Sequence, residues 1–278
     1  MEGVAAILQQ LAQRHDLLGI VWLGQASVAL AGSGRIVLID PFLSPHPDRL
    51  VPPMVAPEEL ASVDLVLVTH EHWDHLDGPT CAAIARVAPG ARFACPQPIV
   101  DQFGALGINR ERVQGMRPGQ AEVFADVTVW PIAAMHGLHA ADAYGFGEVD
   151  GVPRFLGYVV ELAGVRLYHA GDTIAYAGLA KTVRALRPQV AMLPINGRDW
   201  YREQMDIVGN LDIREAAHLA ADIGVELLIP LHYDMFAVNL ADPGALVRYV
   251  HDRQLPVHVL VLRPGKPVLV QPVGREEL

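Results

Sequence analysis

Residues 70 to 75 read His-Glu-His-Trp-Asp-His and follow directly on the apolar run Asp64-Leu65-Val66-Leu67-Val68-Thr69. Three imidazoles and a carboxylate, at the end of what reads as a buried strand, form a ligand set for two metal ions. His70 and His72, two apart on a turning loop, can converge on one ion. Asp74 and His75 face onward and can take a second. Imidazole nitrogen and carboxylate oxygen suit a borderline divalent metal such as zinc, manganese or iron. A polar loop that merely starts a helix rarely concentrates ionisable groups in this way.

Further ligand-type residues arrive at the same kind of place. Val127-Thr128-Val129-Trp130-Pro131-Ile132 leads through Ala133-Ala134-Met135 to His136. Val165-Arg166-Leu167-Tyr168 leads to His169-Ala170-Gly171-Asp172-Thr173, and Val190-Ala191-Met192-Leu193-Pro194-Ile195 to Asn196-Gly197-Arg198-Asp199. Glu226-Leu227-Leu228-Ile229-Pro230-Leu231 leads to His232-Tyr233-Asp234. With the first motif these make five strand-like runs, each ending in polar residues. Sites at the carboxyl ends of sheet strands have this appearance. His15, His46, His251 and His258 lie outside any such motif and read as surface or core residues.

The elements that must position these side chains alternate strand and helix. Ala26-Ser27-Val28-Ala29-Leu30 and Arg35-Ile36-Val37-Leu38-Ile39 read as paired strands around the turn Ala31-Gly32-Ser33-Gly34. The same glycines speak against a membrane span in the uncharged stretch Leu17 to Gly34. Thr80 to Val87 reads as a helix with Asp77 as its amino-terminal cap and Pro79 in its first turn. Ile213 to Ile223 has apolar residues at helical spacing and is closed by Gly224. Strand, glycine turn, strand and a following Asp occur twice: Leu30 to Asp40, and Leu162 to Asp172. The expectation is an α/β fold, an αββα sandwich with two sheets flanked by helices. Residues 1–278 form one domain, because ligands from position 70 to position 232 must meet. Two similar halves meet at a seam near Asp150 to Pro153. Residues 139–155, rich in glycine and small side chains, read as a long loop over the site.

The order His-x-His-x-Asp-His, a lone His, Gly-Asp-Thr and a late His resembles the metallo-β-lactamase superfamily over nearly the whole chain. The resemblance implies that His70, His72 and His136 hold a first ion. Asp74, His75 and His232 hold a second, and Asp172 bridges them. Asp40, in Leu38-Ile39-Asp40-Pro41, matches an early Asp that braces the ligand loop from behind. His169 is taken as a bracing or packing residue rather than a ligand. Trp22-Leu23-Gly24-Gln25-Ala26-Ser27, Leu193 to Arg198, Asn210 to Ala216 and Ile229 to Phe236 look like the L-ascorbate-6-phosphate lactonase branch. That branch implies a metal-dependent hydrolase opening a small phosphorylated lactone by attack of a metal-bound hydroxide, with Asp74 as the catalytic carboxylate. A homo-oligomer is expected. The alternative is hydrolysis of another bond: a phosphodiester, a thioester or a lactone without phosphate. No Gly-x-Ser-x-Gly elbow competes with metal chemistry.

A phosphorylated substrate needs local positive charge, and arginine's planar fork fits phosphate oxygens. Arg198, with Asn196 and Asp199 beside it, stands just past a strand that leads to the site. Tyr233 follows a ligand, and Arg154 completes the expected pocket. His139, three residues after His136, could line it as well. The cofactor is one or two divalent ions, with manganese and zinc foremost and iron possible.

The formal net charge of −10, with a single lysine before position 200 (Lys181), lacks the basic footprint of a nucleic-acid enzyme. The two cysteines, Cys81 and Cys95, match neither a metal-type Cys-x-x-Cys nor a disulfide framework. With no basic start and apolar core in Met1 to Ile20, the expected setting is the reducing cytoplasm. The expected partner is a small molecule, with no nucleic acid and no membrane.

Overall fold

Strand β1 (Leu18–Gly24) sends alternate side chains into two different cores. Leu18, Ile20 and Trp22 enter the core between two sheets, and Val21 and Leu23 enter the one beneath the outer helices. This is the two-residue period of a strand buried on both faces. A computed structural model describes residues 3–137, 145–197, 200–204 and 209–273 of the chain, without the side chains of Tyr201 and Glu203.

Strand β2 (Ser27–Gly32) pairs antiparallel with β1, and with β3 (Arg35–Ile39) across the turn Ser33-Gly34. Both turn residues have positive φ, 48° and 78°, as a tight hairpin requires. The uncharged stretch from Leu17 is therefore hairpin. Among the described residues no helix is long and apolar enough to cross a membrane.

From β3 the sheet continues in parallel through β4 (Leu65–Leu67), β5 (Arg92–Pro96) and β6 (Val113–Met116). The second sheet begins with β7 (Glu122–Phe124), β8 (Val127–Ala133), β9 (Leu156–Leu162) and β10 (Val165–His169), all antiparallel. It continues in parallel through β11 (Val190–Pro194), β12 (Leu227–Leu231) and β13 (His258–Val259). Strand β14 (Pro267–Val270) returns to flank β1. The strand orders are β14-β1-β2-β3-β4-β5-β6 and β13-β12-β11-β10-β9-β8-β7.

Helices α1 (Val4–Ala12), α2 (Gly78–Val87) and the short α3 (Gln102–Ala105) cover the first sheet. Helices α4 (Leu179–Ala185), α6 (Ile213–Ile223) and α7 (Pro243–Asp252) cover the second, and α5 (Trp200–Gln204) precedes α6. The result is the αββα sandwich. The β2–β3 and β9–β10 hairpins occupy equivalent places in their sheets, matching the strand–turn–strand echo in the sequence. The crossing between sheets corrects the expected seam. It falls between Met116 and Glu122, not near 150, because β7 and β8 already pair in register with each other and with β9.

Two helix starts differ in how they are held. Helix α6 has a full capping box from Asp212 and Glu215, and Gly224 closes it at φ 83°. Asp77 makes no side-chain cap for α2. Its carboxylate instead accepts from Ser44 N (2.9 Å), Ser44 Oγ (2.7 Å) and Leu43 N (3.1 Å). It ties the loop after β3 to the helix that follows the histidine motif.

Candidate metal centre

All the strands that lead to ligand-type residues end on one rim. Strand β3 hands on to Asp40, and β4, through Val68 and Thr69, to the loop from His70 to His75. In the second sheet β8 leads to His136, β10 to Asp172, β11 to Asn196 and β12 to His232. Asp40 and His232 hold positive φ of 46° and 59°. That conformation costs an L residue of order 1 kcal/mol and persists where the surroundings fix it. Here Asp40 N–H donates to Leu67 O (2.9 Å) and His232 N–H to Gln25 O (3.1 Å).

The side chains meet in three overlapping groups: His70, His72 and His136; His70, His75 and Asp172; Asp74, His75 and His232. Within each, the ligand atoms lie within 4.8 Å of one another. His72 Nδ1 is 3.0 Å from His70 Nε2 and 3.2 Å from His136 Nε2. His75 Nε2 is 3.8 Å, and His232 Nε2 3.7 Å, from Asp74 Oδ2. Asp172 joins the sets: Oδ1 lies 3.4 Å from His75 Nε2, and Oδ2 lies 3.6 Å from His136 Nε2 and 3.4 Å from His232 Nε2. Donors about 2.0–2.1 Å from one ion at tetrahedral angles stand about 3.4 Å apart, which is the spacing seen. His75 Nε2 and Asp172 Oδ1 are buried with no hydrogen-bond partner. Buried polar atoms are ordinarily satisfied, so this donor set fits divalent metal.

The charges divide along the same line. Burial holds the pKa of His70 well below the ordinary imidazole value and lowers that of His136 to about 4. Burial also opposes charge on His75 and His232, but carboxylates outweigh it. Asp172, Asp74 and Asp40 raise His75 well above its usual value, and Asp172 and Asp74 raise His232. Burial likewise works against the charged forms of Asp74 and Asp172, yet the neighbouring imidazoles prevail and lower both.

Behind the ligands, Asp40 Oδ2 accepts from Thr69 Oγ1 (2.6 Å) and His75 Nδ1 (2.7 Å), and its Oδ1 accepts from Thr69 N (2.7 Å). His136 Nδ1 donates to Gly209 O at 2.8 Å. A Cβ at position 209 would lie 2.4 Å from His136 Cε1, so only glycine fits there. His169 faces away, with Nε2 donating to Ala26 O (2.8 Å) and Nδ1 accepting from Gly171 N (3.1 Å).

The ligands open onto a cavity of about 160 Å³ whose wall includes Asn196, Asn210, Asn239 and Arg202. Asn196 Oδ1 accepts from Asn210 Nδ2 (3.1 Å), and Arg202 donates to Val238 O. Tyr233, expected in the pocket, is turned into the core instead. It is 8 % exposed and stacks on Trp22 at 5.2 Å, where the chain turns out of β12 at His232 (φ 59°). Arg154 also has another partner, an ion pair with Glu71, and does not line the cavity. Arg198, Asp199 and His139 lie outside the described residues, as do residues 139–144 of the expected loop. Gln25, Arg202, Gly209 and Asn210 were not assigned to the site from sequence. Gln25 and Asn210 stand in stretches that carried the resemblance, whereas Gly209 and Arg202 gave no local signal. A larger cavity of about 860 Å³ shares His72 and Asp74 and is walled by Trp73, His46 and Phe236.

Residues 35–233 match the family model for the beta-lactamase superfamily domain. A UPF0173 metal-dependent hydrolase of Archaeoglobus fulgidus is 33 % identical over 247 residues, 89 % of this chain and 96 % of that protein. A second, from Methanosarcina mazei, is 30 % identical and spans 90 % and 98 % of the two chains. Among solved structures, the metallo hydrolase Igni18 of Ignicoccus hospitalis superposes with a TM-score of 0.71 at 25 % identity, over 92 % of this chain and 99 % of its own. The chain belongs to the metallo-β-lactamase superfamily and, within it, to the UPF0173 metal-dependent hydrolases.

Proposed function

We propose that this protein is a metal-dependent hydrolase that opens a small phosphorylated lactone of the L-ascorbate-6-phosphate kind. The observation that supports hydrolysis is the meeting of six imidazole and carboxylate side chains around Asp172 at the floor of an open cavity. In this reading His70, His72 and His136 would hold one ion and Asp74, His75 and His232 the other, with Asp172 placed between the two sets. Divalent ions so held would supply a nucleophile at neutral pH by lowering the pKa of water from about 15.7 to about 7. Manganese, zinc and iron all suit the donor set.

The chain's own groups do the rest. Asp40 fixes His75 with Nδ1 protonated, so that Nε2 is free to face the ions. Asp74, whose side chain is 14 % exposed, stands at the cavity floor where it can carry a proton to the leaving lactone oxygen. Asn196, which lines the cavity, and Arg198 and Asp199, which follow it in sequence, are assigned to the substrate. Arg202 on the cavity wall adds a cation for the phosphate. Cys81 and Cys95, both free and buried, suit a cytoplasmic setting.

A second reading, a lactone or other carboxylic ester without phosphate, is favoured by the aromatic wall next to the centre. Trp73 is 53 % exposed, stacks on His46 at 4.7 Å and meets Phe236 edge-on at 5.4 Å. Such a wall suits an apolar group. Initial rates on matched phosphorylated and unphosphorylated lactones, with a bis-aryl phosphate as control, separate the readings. Preference for the phosphorylated lactone is expected. Equal or greater rates on the unphosphorylated twin favour the second reading, and rapid cleavage of the bis-aryl phosphate overturns both.

A further inference from the structure

Gln25 is fully buried behind the centre, and its amide faces the second set of ligands. Nε2 lies 2.8 Å from Asp74 Oδ2 and 3.0 Å from His232 Nε2, while Oε1 is buried with no hydrogen-bond partner. The turn that carries it is fixed on several sides. Gln25 N donates to Asp234 Oδ1 (3.0 Å), and Gln25 O accepts from Trp22 Nε1 (2.9 Å) and His232 N (3.1 Å). His169 holds the next carbonyl, Ala26 O, at 2.8 Å. Gln25 itself sits at φ 52°. A non-glycine residue kept in that region, with a bare amide oxygen, marks a position whose side chain matters.

We infer that Gln25 is a further ligand of the second ion, which it meets through Oε1 after a half-turn of the amide about its terminal torsion. This rests on the two-ion reading above. That torsion is broad and two-fold, so the exchange of oxygen and nitrogen is open to the side chain. Without a cation, an N–H of the amide faces the Asp74 carboxylate, as seen. With a cation among Asp74, His75 and His232, the carbonyl oxygen is the favoured end.

The spacing also indicates which kind of ion is preferred. Neighbouring ligands about 2.0–2.2 Å from one ion at octahedral angles stand about 3 Å apart, close to the distances from Gln25 to Asp74 and His232. Carboxylate and carbonyl oxygens suit harder ions of the manganese kind, whereas four nitrogen and oxygen donors suffice for zinc. Gln25 therefore biases the second position towards manganese over zinc.

The test is stepwise loading of metal-stripped full-length protein with Mn²⁺ or Zn²⁺. Stoichiometry is followed by elemental analysis, and the manganese pair by its spin-coupled paramagnetic resonance signal. Gln25→Leu, which keeps the bulk and removes the donor, should weaken the second Mn²⁺ about 10–100-fold. It should leave the first ion unchanged and abolish the coupled signal. The second Zn²⁺ should weaken less than the second Mn²⁺. Gln25→Glu, which keeps an oxygen, should retain both ions and tighten the second. It provides the reading if the Leu variant does not fold. Unchanged second-ion affinity in either variant would overturn the assignment of Gln25, as would equal loss of both ions in Gln25→Leu. Wild-type protein that binds only one ion overturns the two-ion reading beneath it.

Discussion

Asp40 Oδ2 and His75 Nδ1 lie 2.7 Å apart with both side chains fully buried. This pair links the end of β3 to the histidine loop after β4 and sets which nitrogen of His75 faces the ligand cluster. Asp40→Asn should weaken metal binding about 10–100-fold, the usual cost of removing an outer partner of a ligand. Competition against a coloured chelator reads the affinity. Unchanged affinity would reduce Asp40 to a support for Thr69.

Gly209 approaches His136 too closely to carry a side chain. Gly209→Ala should push the imidazole off its position and weaken the first ion more than the second. Metal titration of the variant beside the wild type decides it, and a normal first-ion affinity would mean that the 209 segment yields without moving His136.

The two halves of the centre should part company with pH. His70 and His136 have depressed pKa values, that of His136 about 4, so they carry no proton to displace between pH 5 and pH 8. His75 and His232 are raised, so each must give up a proton to bind metal, and acid competes there. As pH falls from about 8, the second ion should leave first and proton release per ion bound should rise. In metal-free protein the sign reverses. The protonated pairs of His75 and His232 with carboxylates stabilise the fold fully below the unfolded imidazole pKa of about 6.5, and that part is lost as pH rises through their folded values. Dialysis at graded pH with elemental analysis checks the metal arm, and simultaneous loss of both ions would contradict it.

Much of this was legible in the chain. The histidine motif, His136, Asp172 and His232 stood out because each ends an apolar run, and helix α6 because its caps and period agree. Other features could not be read locally. Asp77 looks like a cap in sequence, but the loop after β3 takes up its carboxylate. The place where the chain changes sheets depends on pairing of β7 and β8 with β9, which no local period reveals. Tyr233 follows a ligand, yet the left-handed turn at His232 leaves its ring stacked on Trp22. Gln25 acts across 207 residues on His232, a contact that only the folded chain creates.

If the phosphate of the substrate is gripped after β11, Arg198→Ala and Arg202→Ala should each lose about 1.5–3 kcal/mol of kcat/KM on a phosphorylated lactone, and little on its unphosphorylated twin. Equal losses on both substrates would make these arginines structural.

Cys81 and Cys95 are buried, and burial raises both thiol pKa values. Neither should react with a thiol-specific dye until the protein is unfolded, after which two equivalents should react. Rapid labelling of the native protein would contradict that burial.

The central claim is that these side chains hold the metal on which hydrolysis depends, and Asp172 is where it is most exposed to test, since its carboxylate contacts both ligand sets. Metal content and lactone hydrolysis should be measured on one preparation each of wild type, His72→Ala and Asp172→Ala, with folding followed by circular dichroism. The account predicts that folded variants lose bound metal and activity together. Folded variants with full metal content and undiminished hydrolysis would contradict it.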